Sequence, residues 1–270
     1  MRTAKPESIT SAANPLLKDV RRAIHRGGLT EGGLAVAETF HLLEEALRSD
    51  CEVKVVITAA SAEEAAAKQV RGSKGVRVIV LPDGLYQSIS GTETAQGVMA
   101  LVRPPEWDLP QLLRGCPLVV VLDGLQDPGN AGAILRTAEA FGATGALFLK
   151  GTVSPYNPKA LRASAGSVFR MPLLHGMDPS LARAALEQHK VELYAGVPAR
   201  WKLPARPVAE ADFNRPCGLI IGSEAHGVSE EMHGAALDVT IPTITVESLN
   251  AAVAAGILLY EARRQRSIET

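Results

Sequence analysis

The chain has 270 residues, 46% apolar and 21% charged, with 28 Lys and Arg against 29 Asp and Glu for a net charge of −1. That balance excludes a globally basic surface, and the length suits two domains better than one. The longest apolar stretch, near Ala251–Tyr260, falls well short of the roughly 20 residues a membrane helix needs, and the N-terminus is too polar for a signal peptide, so a cytoplasmic location is expected.

Residues 1–102 read as a small α/β unit. The expected pieces are a helix at Pro15–His25, a strand at Leu34–Ala37, a helix at Phe40–Leu47, a strand at Val53–Thr58, a helix at Ala62–Gln69, and strands at Val76–Leu81 and Gly97–Leu101. No acid–base constellation is visible in it. Its first helix gathers Lys18, Arg21, Arg22, His25 and Arg26, which favours phosphate contact over a solvated face. A second basic run, Lys150 to Met177, holds Lys150, Lys159, Arg162 and Arg170 with no acid, and Arg263, Arg264 and Arg266 form a basic end; such local runs suit phosphate contacts on a near-neutral chain.

Pro104, Pro105 and Pro110 stiffen residues 103–115, which are expected to be a linker, leaving 116–270 as the second domain. There the pattern alternates again: Leu118–Leu122, Ala131–Phe141, Ala146–Leu149, Pro158–Ala165, Met171–Leu174, Pro179–His189, Glu192–Ala195, Cys217–Ile221, Ser229–Ala235, Val239–Ile241 and a long helix Ser248–Arg266. This predicts a mostly parallel, helix-covered sheet. Cys51, Cys116 and Cys217 lie far apart in or beside strand-like runs and are expected to be buried free thiols. No structural metal is expected, since His226 and His233 lack a third ligand nearby.

Three loops at strand ends carry the candidate chemistry. The first follows the valine-rich run and contains Gly124, Gly129 and Gly132, with Asn130 as the expected N-cap and Arg136 one turn further on. Its glycines do not make the dinucleotide fingerprint, and the next strand ends without a carboxylate for a ribose, which disfavours an oxidoreductase. A structural turn explains the glycines as well as a ligand loop does; Arg136 favours the ligand loop. The second is Gly222-Ser223-Glu224-Ala225-His226-Gly227. Ser223 with His226 suggests a hydrolase, but a nucleophile elbow needs serine between glycines at another spacing. The third runs from Ile241-Pro242 to Ser248-Leu249-Asn250, where Ser248 and Asn250 also read as simple helix caps.

Together, Asn130-Ala131-Gly132 with Arg136, then Gly222-Ser223-Glu224 with Gly227, then Ile241-Pro242 with Ser248-Leu249-Asn250, resemble the three ordered motifs of the SpoU/TrmH class of SPOUT RNA methyltransferases. The first domain is similar to that family's ribosomal-protein-like substrate-binding domain, through Asn14-Pro15-Leu16-Leu17-Lys18 and Gln96-Gly97. Pro242-Thr243-Ile244-Thr245 and Ala251-Ala252-Val253 depart from the family's usual residues at those places.

The resemblance implies a second domain knotted as a deep trefoil, an exception to the rule against threaded chains. It also implies transfer of a methyl group from S-adenosylmethionine to a ribose 2′-hydroxyl of RNA, ribosomal more than transfer; a non-catalytic RNA-binding assembly factor is the alternative. The cofactor would lie against Ala195, Gly196, Val197, Ile221, Gly222, Ser223, Glu224, Ile241, Pro242, Ser248, Leu249 and Asn250. Arg136, which the resemblance suggests as general base, is read here as gripping the target phosphate and stabilising the oxyanion, since a guanidinium rarely gives up its proton. Asn130 would orient the ribose or Arg136, Glu224 and Ser248 would shape the loops, and Asn250 would fix the substrate side or cap the last helix. Lys18, Arg21, Arg22, Arg26, Lys159 and Arg162 would contact RNA. The many apolar residues of the last helix, with the family's habit of sharing a site between two chains, imply a homodimer through the second domain.

Overall fold

The computed structural model describes residues 6–92, 94–198 and 205–267. Arg2 and Lys5, basic residues near the N-terminus, lie outside them. In chain order the elements are β1 (Glu7–Ser8), α1 (Pro15–Arg26), β2 (Ala35–Glu38), α2 (Phe40–Arg48), β3 (Glu52–Ala59), α3 (Glu63–Gln69), β4 (Arg77–Leu81), α4 (Asp83–Ile89), β5 (Val98–Arg103) and α5 (Leu109–Leu112). There follow β6 (Leu118–Asp123), α6 (Pro128–Ala140), β7 (Gly145–Leu149), α7 (Pro158–Ser164), β8 (Leu173–Met177), α8 (Pro179–Gln188), β9 (Glu192–Val197), β10 (Arg206–Pro207), β11 (Cys217–Gly222), α9 (Glu230–His233), β12 (Ala236–Thr240) and α10 (Ala251–Arg266). Two compact units form: Met1–Glu106 with Tyr156–Arg170, and Trp107–Pro155 with Met171–Thr270.

In the first unit a five-stranded sheet runs β1-β4-β3-β5-β2, with β5 antiparallel to both β3 and β2. Its core joins Leu17 and Val20 of α1 to Ile57, Ile79, Tyr86 and Leu101. Helix α1 starts where Asn14 accepts a hydrogen bond from Leu16 N (2.9 Å) ahead of Pro15, and stops where Gly27 turns left-handed at φ 67°. A side chain at Gly27 would overlap that of Asn157, the residue that caps α7.

That proximity belongs to a difference from the single boundary expected at 103–115. Tyr156–Arg170 packs with the first unit, α7 lying on β2, and Arg162 comes within 3.9 Å of the buried Glu38 carboxylate. Ser90 Oγ, Gly91 N and Thr92 Oγ1 also donate to Glu38, so the carboxylate is satisfied without water. Nor are residues 103–115 a bare linker. Strand β5 extends to Arg103, and α5 is closed by a capping box of Asp108 and Gln111 and buries Leu112 completely in the second unit's core.

The second unit carries a seven-stranded sheet, β10-β12-β9-β11-β6-β7-β8, in which every pairing is parallel. Strand β6 is buried at every position, which is why its sequence is an unbroken apolar run rather than an alternating one. Helix α6 begins three residues before its expected start. Asp127, not Asn130, is the N-cap, accepting from Asn130 N at 2.7 Å, and Pro128 takes the first turn. Helix α10 packs on α6, with Phe141 and Tyr260 edge to face at 5.8 Å.

The end of α10 is not a free basic tail. Arg264 is paired with Glu261, and Arg266 donates to the carbonyls of Phe213 (2.7 Å), Cys116 (2.8 Å), Arg215 (2.8 Å) and Pro117 (3.0 Å). One planar fork therefore ties the last helix to the starts of β6 and β11. Arg266 also donates to Cys217 Sγ at 3.5 Å; burial pushes that thiol up to about 11, against the opposing pull of the guanidinium. All three cysteines are free, but only Cys217 is buried: Cys51 is half-buried and Cys116, expected to be buried, is exposed.

Candidate active site

Parallel pairing puts the C-terminal ends of β9, β11, β6 and β12 on one edge of the sheet, where open α/β sheets hold ligands. A cleft of about 370 Å³ opens there. Its walls come from Gly196 and Val197 at the end of β9 and Pro198 just past it, Ile221 and Gly222 at the end of β11, and Val239 of β12. Ala251, Ala254 and Leu258 of α10 close one side. The polar rim is made by Ser223, Glu224 and His226 and by Thr243, Glu247 and Ser248, with Ile241 and Leu249 beside them.

The Ser223–Gly227 turn is closed on itself. Ser223 N donates to Gly227 O at 3.0 Å, Gly227 N returns a bond to Ser223 O at 2.9 Å, and His226 N donates to Ser223 Oγ at 3.0 Å. Gly227 takes φ +71°, and a Cβ on Gly222 would overlap the Gly227 backbone, so both glycines are required by the geometry. Ser223 is thus a turn residue. Its hydroxyl accepts from its own loop, which gives it no nucleophile's environment.

Beside the cleft, Asn250 and Asn130 are joined to Glu224 of its rim in one chain of hydrogen bonds. Asn250 caps α10, its Oδ1 accepting from Ala252 N (2.9 Å) and Val253 N (3.3 Å). With that oxygen occupied, its Nδ2 donates to Asn130 Oδ1 (3.0 Å), which leaves Asn130 Nδ2 to donate to Glu224 Oε1 (2.6 Å). The cap fixes the polarity of the whole chain, and a charged acceptor ends it. Because Asp127 caps α6, the Asn130 side chain is available for this work.

Of the residues expected at the cofactor, Gly196, Val197, Ile221, Gly222, Ser223, Glu224, Ile241, Ser248 and Leu249 line the cleft. Ala195 is buried within β9, and Pro242 and Asn250 are not in the lining. Arg136 is exposed on α6, outside the lining, and has no hydrogen-bond or ion-pair partner among the described residues. Pro198, Thr243 and Glu247, on two of the loops expected at the cofactor, line the cleft as well, and so do Ala225, His226 and Gly227 of the second candidate loop; missed from sequence were Val239, Ala251, Ala254 and Leu258, whose apolar spacing reads as core. Among the described residues no three His, Cys, Asp or Glu side chains converge as metal ligands.

In the first unit Lys18, Arg21, Arg22, His25 and Arg26 line a shallow groove along α1. Arg22 is paired with Glu31, and Arg21 reaches Ser88 at 3.5 Å. Lys159 is exposed on α7 of the same unit, and Arg162, a half-buried residue of that helix, lies within 3.9 Å of Glu38.

Comparison with known proteins decides the family. Residues 117–260 match the SpoU rRNA Methylase family, and residues 14–100 match the MRM3-like substrate binding domain. The chain belongs to the SpoU rRNA methylase family. Among its SpoU relatives, the 23S rRNA (guanosine(2553)-2′-O)-methyltransferase RlmP of Bacillus subtilis is 30% identical over 259 residues, spanning 95% of this chain and 99% of that protein. The SpoU methyltransferase AviRb from Streptomyces viridochromogenes in complex with AdoMet superimposes with a TM-score of 0.81 at 27% identity, covering 94% of this chain and 100% of that one. An AdoMet-bound rRNA methyltransferase from Sinorhizobium meliloti gives 0.79 at 28% identity, covering 96% and 97%.

Proposed function

We propose that this SpoU-family chain methylates the 2′-hydroxyl of a ribose in ribosomal RNA, using S-adenosylmethionine held in the cleft at the C-terminal edge of the second sheet. The observation that carries the reading is the Asn250–Asn130–Glu224 chain of hydrogen bonds beside that cleft, which unites all three family motifs. The cleft suits the cofactor chemically. Val197, Ile221, Val239 and Leu258 offer an apolar wall for an adenosine, glycine backbone at the ends of β9 and β11 permits close approach, and Glu224 and Glu247 put two carboxylates on the rim, which suits a cationic ligand.

S-adenosylmethionine, when bound, supplies an electrophilic methyl group. The chain's own residues must hold the ribose oxygen in line and stabilise it as its proton leaves. Arg136 is assigned to the target phosphate and the developing oxyanion, because a guanidinium keeps its charge and offers two parallel donors. Asn130 fixes the Glu224 side of the site, and Ser248 and Asn250 hold the segment entering α10.

The α1 groove and Lys159 are assigned to RNA backbone contact. A homodimer forms through the second unit, using the exposed Val253 and Tyr260 of α10, at 52% and 57% exposure. The trefoil implied by the family resemblance is retained, and the protein works in the cytoplasm; no helix among the described residues is long and apolar enough to cross a membrane. Incubating the protein with labelled S-adenosylmethionine and ribosomal RNA, then mapping 2′-O-methyl sites, tests the reading. Label on one ribose is expected, and none on any ribosomal RNA would overturn it.

A further inference from the structure

The turn that lines the cleft is closed on itself, but its own bonds do not set its angle to the sheet. Two ties do. One is Glu224 to Asn130. The other lies just past the turn, where Ser229 N donates to Asp123 Oδ2 at 2.7 Å. Asp123 is the last residue of β6, paired in register with Gly222, the last of β11, and is only 5% exposed. A buried carboxylate on the neighbouring strand therefore grips the chain as it leaves the turn, in a charge-assisted bond of the stronger kind.

We infer that Asp123 is a positioning residue for the cofactor: through Ser229 N it holds the Ser223–Gly227 turn at the angle that shapes the cleft. The inference rests on the reading of that cleft as the S-adenosylmethionine site. Asp123 is not in the cleft lining, and its loss leaves the other tie, Glu224 to Asn130, in place, so its effect falls on cofactor affinity and not on the chemical step. Gly124 follows at φ +72°, its N–H donating to Thr152 Oγ1 at 3.0 Å, so β6 is itself held where Asp123 sits.

Two substitutions remove the bond from opposite ends. Asp123→Ala deletes the acceptor. Ser229→Pro deletes the donor, at a residue whose φ of −62° is already proline's, and its ring Cδ takes the place of the N–H and turns the carboxylate away. S-adenosylmethionine binding is measured by calorimetry on the full-length protein, with melting temperature and single-turnover methyl transfer alongside. Both variants are expected to weaken binding about tenfold or more. Asp123→Asn, which keeps an oxygen acceptor, should bind within about threefold of wild type, and the methyl-transfer rate at saturating cofactor should stay within about threefold for all. If Asp123→Ala fails to fold, Ser229→Pro decides. Wild-type affinity in a folded Ala or Pro variant overturns the inference, as does a loss confined to the saturated rate. Failure of the wild-type protein to bind S-adenosylmethionine overturns the underlying reading of the cleft instead.

Discussion

Asn130 donates its side-chain amide to Glu224, 94 residues later, at 2.6 Å. The bond needs Asn130 to be free of capping duty and Asn250 to occupy its oxygen. Asn130→Asp would remove the donor and set a second carboxylate against Glu224, so methyl transfer is expected to fall about 100-fold. A steady-state assay checks this, and a fully active Asp variant would show that the chain of bonds is not needed.

Arg136 is exposed and has no partner among the described residues, so its removal should leave the fold alone. Arg136→Ala is expected to lose roughly 100- to 10,000-fold in turnover while melting near the wild-type temperature and binding S-adenosylmethionine normally. Arg136→Lys keeps a charge without the two-pronged grip and should remain strongly impaired. Full activity in the lysine variant would contradict the phosphate and oxyanion role.

Arg266 is the opposite case. Its guanidinium satisfies four backbone carbonyls at once, so Arg266→Ala should destabilise the protein by about 3 kcal/mol in urea unfolding. Lysine cannot span those acceptors and should restore little. An unchanged unfolding midpoint would mean that α10 is held by its apolar face alone.

Neutralising Lys18, Arg21, Arg22 and Arg26 together should weaken RNA binding and lower its salt dependence by about one unit of slope for each phosphate that is no longer neutralised. Arg22 is expected to contribute least, since Glu31 already pairs with it. Cofactor affinity should be unchanged. A filter-binding salt titration with an unaltered slope would make α1 a solvated face.

Much of the molecule is legible because its signals are local. The valine run of β6 announces a strand covered on both faces, and Asn14-Pro15 announces the start of α1, each through interactions within a few residues. The three motifs are legible as strand-end loops for the same reason. Where two local signals compete, the sequence misleads: Asp127 and Asn130 can both cap a helix, and Pro128, which suits a first turn, is the sign favouring Asp127. Tertiary structure alone decides the rest. Arg266 looks like a basic tail until packing sets it against the carbonyls of Phe213 and Cys116, and the approach of Arg162 to Glu38 exists only because α7 lies on β2. Leu258 and Val239 carry the apolar spacing of core, and only the parallel register that brings strand ends together turns part of that core into the wall of a cleft. Periodicity and capping act over a helical turn or less, whereas a partner some 94 residues away is chosen by the whole sheet.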